Sequence, residues 1–543
     1  NSFCTLLVVV GMAMHRLLLA FSLALVFAAA YVAASLTAGG GPVGVPTLTT
    51  FDRWYGSTPI PDQWLSHTPS GWKVPVNDES LPWLSLLPTW PRMNATTVDG
   101  TVIPFVDEVA TVRCLGGWDA QYGHGNASDD IIDSDYQFRW NLLDGRLDPW
   151  VIGANKSILL VLDNVPYVFT DGHPKLGPFG QDAPPVNYTK FEWFVGEVVQ
   201  HLQQRYGAER VANRFRFRVG TEPDGPRYGN ITQYIGSYTA AARAVKRYSP
   251  QSPVGAGNWL HQERDYADYQ AFEDTFYAAM KAANVAVDFI AQSDYVQGFH
   301  HPGGRRYPCF ITNGSIAMQN YARIYGAPAL PRETQEFSPL NNVEGRTSSE
   351  PGSFGVAFYV ACWTAGLDSG LRRIFHWGTG YEKGAIGALW TGYGWAMGMA
   401  ELLVGQPVAA ITRPSGCERG AYALSAPHAT LVTAFDPYAN ATFNTTFVVP
   451  HNVSRVYRID AATAPFDVML RDAEARGYTK YRDGLPYDMK ELLNAEGQRW
   501  IRQKAVFQRF VDLQKITFTP VEETIAAGTE ITLPQFTTLM LLQ

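Results

Sequence analysis

Two glutamates of this chain each stand at the end of a strand-like run. Glu222 closes the run 215–222, and Glu336 lies near the end of the run 329–337. Two carboxyl groups that face one substrate can divide the work of breaking a glycosidic bond, one as acid/base and the other as nucleophile. Glycoside hydrolysis is therefore the chemistry that these residue types first suggest.

The elements around the two glutamates predict how they are positioned. The chain between them has room for three β/α units of roughly 35–40 residues each in a barrel of eight such units. Glu222 would then follow strand four and Glu336 would lie on strand seven, so both would open on the same face. Strand-like runs alternate with amphipathic helical ones, for example 158–165, 191–206, 215–219 and 234–248. This alternation predicts an α/β protein with a (β/α)8 TIM barrel.

The composition changes along the chain and predicts four parts. These are a leader at 1–34, a loop and short-strand region at 35–104, the barrel at 105–408, and an accessory antiparallel β-sandwich at 409–543, interrupted by a charged helical insertion at 466–513. Short alternating stretches such as 429–435 favour the antiparallel sheet. The apolar segment Gly387 to Val404 contains Glu401 and many glycines, so we expect a packed helix that closes the barrel rather than a membrane span.

The N-terminal residues and the sequons indicate export. Met14-His15-Arg16 followed by the apolar run 17–34 predicts a signal peptide cleaved near Ala34. An uncleaved membrane anchor is the alternative, since the run approaches the ~20 residues that span a bilayer. The chain carries nine Asn-X-Ser/Thr sequons, at Asn94, Asn126, Asn155, Asn187, Asn230, Asn313, Asn440, Asn444 and Asn452. We therefore expect a secreted glycoprotein, in the extracellular space or in an endomembrane lumen such as a lysosome or vacuole.

Charge and cysteine content exclude other classes. A net charge of −7, without a basic block, gives no reason to expect nucleic acid or an anionic membrane as partner. Outside the leader the cysteines are Cys114, Cys309, Cys362 and Cys417, which allow one or two disulfides in any of three connectivities. No Cys-X-X-Cys or paired His spacing suggests zinc, and no phosphate-binding loop is present. We expect neither a metal nor an organic cofactor.

Short motifs along most of residues 105–543 carry a family resemblance. They are Tyr136-Gln137-Phe138, Leu143-Asp144, Ile158 to Leu162, Phe191-Glu192-Trp193, Glu222-Pro223-Asp224, Thr334-Gln335-Glu336-Phe337 and the closing strand Phe536 to Leu542. This pattern resembles the family 39 glycoside hydrolases, which include β-xylosidases and α-L-iduronidases. The resemblance implies a retaining mechanism, with Glu222 as acid/base and Glu336 as nucleophile. A helix-capping role is the alternative for Glu222, while Glu333 competes with Glu336 for the role of nucleophile.

The resemblance also suggests further residues at the site. Arg113 resembles a first-strand arginine that would bond the nucleophile, although a structural arginine is the alternative. Trp377, at the end of strand eight, resembles a sugar-stacking aromatic, with core packing as the alternative. Trp118 and His124 follow the first predicted strand and are weaker candidates for lining the pocket.

Two positions depart from the family pattern. Thr221 stands where the family has Asn before the acid/base, so a shorter hydroxyl replaces an amide that can bond a sugar hydroxyl. Ser293 stands where the family's sixth strand has His, two residues before the retained Tyr295. Lost donors at such places weaken transition-state stabilisation, often by ~3 kcal/mol. The departures imply an altered substrate or a reduced activity.

The sequence thus predicts a secreted retaining glycosidase that cleaves xyloside-like or uronic-acid-containing glycans with two carboxylates. A catalytically weak, glycan-binding barrel protein is the alternative from another class, motivated by Thr221 and Ser293. A membrane-anchored structural glycoprotein is the third reading and depends on an uncleaved leader. The expected partner in the first two readings is a carbohydrate.

Overall fold

The structure is a computed structural model of the chain. It describes residues 47–52, 95–96, 102–103, 108–111, 114–116, 130–153, 155–170, 176–177, 180–181, 183–224, 230–260, 266–295, 308–338, 352–377, 392–403, 408–412, 414, 419–436, 442–479, 494–501, 503–517 and 519–543. The predicted leader and residues 35–46 lie outside these ranges. Among the described residues, no helix combines the length and apolar character needed to cross a bilayer.

Eight parallel strands form the central sheet. They are β1 (Thr47–Asp52), β2 (Glu108–Thr111), β3 (Ser157–Leu162), β4 (Phe215–Val219), β5 (Val254–Ala256), β6 (Ile290–Tyr295), β7 (Arg332–Ser338) and β8 (Arg373–Trp377). Their order is β6-β7-β8-β1-β2-β3-β4-β5. Parallel bridges from Gly255 to Phe289 and from Trp259 to Gln292 join the two edges of the sheet. The sheet therefore closes on itself, as in a TIM barrel.

The first strand corrects the predicted boundary of the barrel at residue 105. β1 lies between β8 and β2, pairing Phe51 with Trp377 and Thr50 with Val109. The run 47–52 is short and stands among Pro-, Gly- and Trp-rich sequence, so its pairing with strands distant in the chain decides its structure. The predicted first strand, 109–115, is therefore the second, while 136–138 contributes a single bridge through Phe138.

Helices connect the strands on the outside of the barrel. They are α1 (Trp140–Asp148), α2 (Tyr188–Tyr206), α3 (Ala208–Arg214), α4 (Ile231–Tyr248), α5 (Tyr266–Ala282), α6 (Pro308–Tyr325), α7 (Gly352–Asp368) and α8 (Gly392–Ala400). Asn187 and Asn230 begin α2 and α4 by accepting hydrogen bonds from the backbone N–H groups of Lys190 and Gln233. The segment predicted as a closing helix forms α8, followed by the 3-10 turn Glu401–Leu403.

Side-chain alternation divides the strand residues between two cores. Leu159 and Val161 of β3 belong to a small cluster inside the barrel, together with Ala110, Phe289, Ala291 and Phe375. Leu160 and Leu162 instead join the large core between the strands and the helices. Because β3 is buried on both faces, it is a continuous apolar run rather than an alternating one.

The residues after the barrel form two antiparallel sheets. Their strands are β9 (Ala409–Thr412), β10 (Gly420–Ala426), β11 (Ala429–Phe435), β12 (Asn444–Val448), β13 (Val453–Ile459), β14 (Val521–Ile525), β15 (Glu530–Pro534) and β16 (Thr538–Leu542). Six of them pair in the order β9-β10-β11-β16-β13-β14, and β12 pairs with β15. Phe447 and Leu533 of the smaller sheet share a buried cluster with Val432 and Leu541 of the larger one.

A helical insertion separates β13 from β14 and contacts the barrel. It contains α9 (Pro465–Ala475), α10 (Ala495–Ile501) and α11 (Lys504–Thr517). The carboxylate of Asp467 in α9 accepts a hydrogen bond from the backbone N–H of Ser353, 2.7 Å away, at the start of α7. Phe354 of α7 also packs against Phe435 of β11. α7 is buried throughout its first fifteen residues because the barrel and the accessory sheet both cover it.

Candidate active site

Glu222 lies just beyond the carboxyl end of β4, the fourth strand of the barrel. The chain turns there through Gly220 (φ 80°) and through Glu222 itself (φ 46°). A positive φ is rare for a residue with a side chain and costs conformational energy, which is a feature of functional sites. The Tyr234 hydroxyl fastens the end of β4 by donating to the Val219 carbonyl at 2.9 Å. The turn leaves the Glu222 side chain 6% exposed.

Glu336 reaches the inside of the barrel because β7 contains a bulge. Along β6 and β7, Gln292 pairs with Thr334 but Ser293 pairs with Glu336, so Gln335 is an extra residue. A bulge of this kind shifts the alternation of side chains by one residue. Phe337 accordingly packs outward against Phe358 of α7, with ring centroids 5.4 Å apart. Glu336 is 4% exposed and lies on strand seven, where it faces the same end of the barrel as Glu222.

Ser293 joins the two glutamates. Its hydroxyl donates to Glu222 Oε1 at 2.9 Å, while its Cα is the register partner of Glu336 on the neighbouring strand. Neighbouring strands lie about 4.8 Å apart, so this pairing brings Glu336 next to the residue that holds Glu222. The Asn258 side-chain amide donates to the Ser293 hydroxyl at 2.6 Å.

Arg218 places a positive charge among the carboxylates. Its side chain is fully buried inside the barrel, and Nη2 lies 3.9 Å from Glu336 Oε1. Burial lowers the pKa of Arg218, whereas the charges of Glu336, Asp163 and Glu222 all act to raise it. Both candidate catalytic glutamates therefore share one buried counter-ion.

Thr221 is occupied by protein partners rather than turned to an open pocket. Its hydroxyl donates to Asp163 Oδ2 at 2.7 Å and accepts from Arg218 Nη2 at 2.8 Å. The Thr221 side chain is 5% exposed. The hydrogen of the Thr221 hydroxyl is thus used in the bond to Asp163, so Thr221 has no donor for a sugar hydroxyl.

Glu333, the competitor of Glu336, lies towards the opposite end of the barrel in an ion-pair network. It accepts hydrogen bonds from Arg216, from Arg373 Nη1 at 3.2 Å and from Gln335 Nε2 at 2.7 Å. Burial would raise the pKa of Glu333, but the two arginines and the hydrogen bonds outweigh burial and lower it. Glu108 completes the network, with its Oε2 2.9 Å from Arg216 Nη1.

Several predicted site residues have no described side chain. Arg113, Trp118 and His124 lie outside the described residues. The strand positions of Tyr295 and Trp377 are known: Tyr295 pairs with Ser338 at the end of β6, and Trp377 ends β8. Among the described residues, Arg218 is a cation that lies close to the Glu336 carboxylate.

Three residues of the site were not predicted as such. Arg218, Asp163 and Asn258 are all buried around the two glutamates. The sequence did contain a signal for Arg218, since two arginines alternate with apolar residues in β4 and a charge at such a place needs a buried partner. Asn258 follows β5 by two residues, and nothing in the local sequence distinguishes it from a turn residue. Within the described ranges, no group of three or more His, Cys, Asp or Glu residues is arranged to hold a metal ion.

The fold is TIM-barrel-like, and it carries one buried glutamate after strand four and another on strand seven. Residues 135–302 match the sequence model of glycosyl hydrolases family 39, which confirms the resemblance stated from the motifs.

Two curated relatives support a glycosidase. The alpha-1,4-L-rhamnosidase of Formosa agariphila is 22% identical over 264 residues, which is 47% of this chain and 49% of that protein. The beta-xylosidase of Geobacillus stearothermophilus is 27% identical over 164 residues, 28% of this chain and 32% of that protein. The chain therefore matches about half the length of the first relative and about a third of the second.

Solved structures share the fold along most of the chain. A GH39 enzyme from Xanthomonas axonopodis pv. citri superposes with a TM-score of 0.58 at 14% identity, covering 92% of this chain and 94% of that one. A GH39 beta-xylosidase from Caulobacter crescentus gives a TM-score of 0.56 at 14% identity, with coverages of 93% and 97%. The bacterial orthologue of human α-L-iduronidase gives 0.53 at 12% identity, with coverages of 91% and 80%. At these identities the likeness is one of fold.

Proposed function

We propose that this protein is a retaining glycoside hydrolase in which Glu222 is the acid/base and Glu336 the nucleophile. The observation that carries the proposal is the position of both glutamates at one end of the barrel, where the Ser293 hydroxyl donates to Glu222 and the Arg218 guanidinium lies 3.9 Å from Glu336. In the first step the Glu336 carboxylate attacks the anomeric carbon while Glu222 protonates the leaving oxygen. In the second step Glu222 takes a proton from water, which hydrolyses the glycosyl ester.

Retention requires the two carboxyl groups to lie ~5–5.5 Å apart, against roughly 6.5–9.5 Å in inverting enzymes. Adjacent register on β6 and β7, together with the direct bond from Ser293 to Glu222, favours the shorter separation. The location of Glu333 in a separate ion-pair network supports Glu336 as the nucleophile.

The proposed substrate is a xyloside-like or uronic-acid-containing glycan, with xylosides slightly favoured. One curated relative is named a rhamnosidase and another a xylosidase, so deoxy sugars belong in the same screen. We further propose that the protein is a secreted glycoprotein that acts outside the cell or in an endomembrane lumen. Six of its nine sequon asparagines are described, and all are exposed: Asn155, Asn187, Asn230, Asn313, Asn444 and Asn452.

A screen of the purified protein against aryl glycosides tests the proposal. Xylosides, rhamnosides, glucuronides and iduronides are compared for the wild type, Glu222→Ala and Glu336→Ala. Turnover that disappears in Glu336→Ala, and that azide restores in Glu222→Ala, is the expected result. Azide attacks the glycosyl ester without the help of a general base. It therefore takes the place of the water molecule that Glu222 would otherwise activate.

A catalytically weak glycan-binding protein is the second candidate, and the state of Thr221 favours it. Its hydroxyl hydrogen is held by Asp163, so the amide that the family resemblance expects at this place has no substitute here. Absence of turnover on every sugar, with glycan binding still measurable by calorimetry, would favour this candidate over the hydrolase.

A further inference from the structure

We infer that Asn258 is a positioning residue that acts through Ser293 to fix the orientation of the Glu222 carboxylate. The inference rests on the proposed function, in which Glu222 is the acid/base. Asn258 Nδ2 donates to Ser293 Oγ at 2.6 Å, and Ser293 Oγ donates to Glu222 Oε1 at 2.9 Å. Two consecutive hydrogen bonds thus connect the segment after β5 with the carboxylate after β4.

The donors determine the direction of this relay. An amide nitrogen can only donate, and a serine hydroxyl has a single hydrogen. Because Asn258 already donates to the Ser293 oxygen, the Ser293 hydrogen is directed at Glu222 Oε1. Oε1 therefore accepts, and the proton that the acid form of Glu222 transfers to the leaving oxygen is carried by Oε2.

Burial and backbone contacts keep the relay in place. Asn258 and Ser293 are both 0% exposed, so solvent does not compete for either bond. The backbone N–H of Ser293 donates to the Trp259 carbonyl at 2.9 Å, and the N–H of Trp259 donates to the Ala291 carbonyl at 3.1 Å. These bonds tie the residue next to Asn258 to β6, which fixes the distance between Asn258 and Ser293.

The state of the side-chain oxygen of Asn258 indicates that its side-chain nitrogen is the atom with a function. Asn258 Oδ1 is buried and accepts no hydrogen bond from any part of the chain that the structure describes. A buried amide oxygen without a donor is unfavourable, so an apolar side chain of similar size would be easier to accommodate. The presence of an asparagine at this buried position is explained if its side-chain nitrogen is needed to orient the Ser293 hydroxyl.

The relay has a consequence for both steps of the reaction. When the proton leaves Oε2 for the glycosidic oxygen, Glu222 becomes anionic and the bond from Ser293 to Oε1 strengthens. When water later returns a proton to Oε2, that bond weakens again. A relay that favours the charged form assists the departure of the proton and holds Oε2 towards the substrate.

Two variants of Asn258 and one control test the inference. Asn258→Ala removes the donor. Asn258→Asp keeps the shape but reverses the relay, since a carboxylate takes the Ser293 hydrogen and adds a like charge. Ser252→Ala is the control, because Ser252 is equally buried but lies before β5, where it bonds Ser249 and the Val211 carbonyl.

The kinetic readout is kcat/KM on the aryl glycosides that the wild type turns over. A poor leaving group departs only with a proton from Glu222. With such substrates we expect kcat/KM to fall on the order of tenfold in Asn258→Ala and by more in Asn258→Asp. With a dinitrophenyl leaving group, which needs no proton, both variants should match the wild type within about twofold. The alkaline limb of the pH profile should move to higher pH in both variants. Equal losses on both leaving groups, or losses no larger than in Ser252→Ala, would overturn the inference.

A second readout separates failure of the relay from failure of the proposed function. Carbon-13 NMR of carboxyl-labelled glutamate, with Glu222 assigned from the Glu222→Gln spectrum, follows the titration of that carboxyl without a substrate. The titration of Glu222 should move to higher pH in Asn258→Ala and Asn258→Asp but not in Ser252→Ala. If the wild type turns over no glycoside, the proposed function fails while this titration still decides the relay. An unchanged titration in both variants would show that Asn258 does not act on Glu222.

Discussion

The guanidinium of Arg218 lies 3.9 Å from the carboxylate of Glu336, although the two residues belong to strands on different sides of the barrel. Arg218 also donates to Thr221 Oγ1 and to the Gly220 carbonyl, which belong to the turn that carries Glu222. One buried side chain therefore links the turn after β4 with the bulge in β7. The site is a single charged unit rather than two independent carboxylates.

Replacing Arg218 should therefore destabilise the whole barrel. In Arg218→Met, which has a similar length, Glu336 and Asp163 lose their shared counter-charge. Removing one partner of a buried ion pair costs about 3–5 kcal/mol of unfolding free energy. Urea unfolding followed by tryptophan fluorescence measures the loss. A change below about 1 kcal/mol would mean that solvent already compensates these carboxylates, contrary to the burial of Arg218.

Glu333 and Glu336 provide a matched pair, because both are buried on β7. Glu333→Gln should reduce the free energy of unfolding by about 3–5 kcal/mol, since it leaves Arg216 and Arg373 short of negative charge. Among molecules that remain folded, kcat should change less than tenfold. Glu336→Gln should instead abolish turnover with a smaller loss of stability, because Asp163 and Glu222 remain as counter-charges of Arg218. The two measurements are kcat per folded molecule and the midpoint of urea unfolding. The reverse assignment, with activity lost in Glu333→Gln and kept in Glu336→Gln, would make Glu333 the nucleophile.

We expect the hydrogen bonds of the Thr221 hydroxyl to raise the free energy of unfolding. Thr221→Val keeps the shape but removes the bonds to Asp163 and Arg218, which we expect to cost about 1–3 kcal/mol of unfolding free energy. Thr221→Asn should cost less, because its amide can both donate to Asp163 and accept from Arg218. Thr364→Val is the control, since the buried hydroxyl of Thr364 donates within its own helix to the Val360 carbonyl. The midpoints of urea unfolding of the three variants measure these losses. A loss in Thr221→Val no larger than that in the control would show that the bridge has no energetic role.

Asp294 should make stability depend on pH. It lies on the outer face of β6, where burial raises its pKa to about 7 despite hydrogen bonds from Thr334 and Gln292. Between the ordinary pKa of 3.8 and about 7, the folded chain holds a proton that the unfolded chain has released. The stabilisation is therefore complete below the ordinary value and is lost as the pH rises through about 7, with a slope of at most about 1.4 kcal/mol per pH unit.

Asp294→Asn tests this dependence. The amide keeps the shape but does not titrate, so its free energy of unfolding should change less between pH 5 and pH 8 than that of the wild type. Because Asp467, with a pKa raised by burial to about 6, titrates in the same interval, the comparison uses the difference between variant and wild type. Parallel curves for the two proteins would contradict the assignment to Asp294.

The sequence predicted the positions of the two glutamates along the fold but not how Glu336 turns inward. The spacing of β/α units placed Glu222 after strand four and Glu336 on strand seven, as observed. Strict alternation along β7 would point Glu336 outward with Thr334. The bulge at Gln335 turns Glu336 inward instead. The bulge depends on how β7 pairs with β6, and the local sequence carries no information about that pairing.

Two elements were missed for a related reason. β1 is recognisable only from its neighbours β8 and β2, and α6 has no counterpart among the predicted elements. Gly314 interrupts the helical pattern of α6, yet a Cβ at that position would come within 1.7 Å of Gln292 Nε2. The close approach of α6 to β6 requires the glycine, so tertiary packing overrides its low helix propensity.

Capture of a glycosyl ester on Glu336 tests directly whether this residue is the nucleophile. The wild type is incubated with an activated 2-deoxy-2-fluoro glycoside of the sugar it turns over fastest, and peptides are sequenced by mass spectrometry. We expect one sugar per chain, attached to Glu336 and absent in Glu336→Gln. Attachment to Glu333 instead, or turnover that inverts the anomeric centre without any attached sugar, would contradict this expectation.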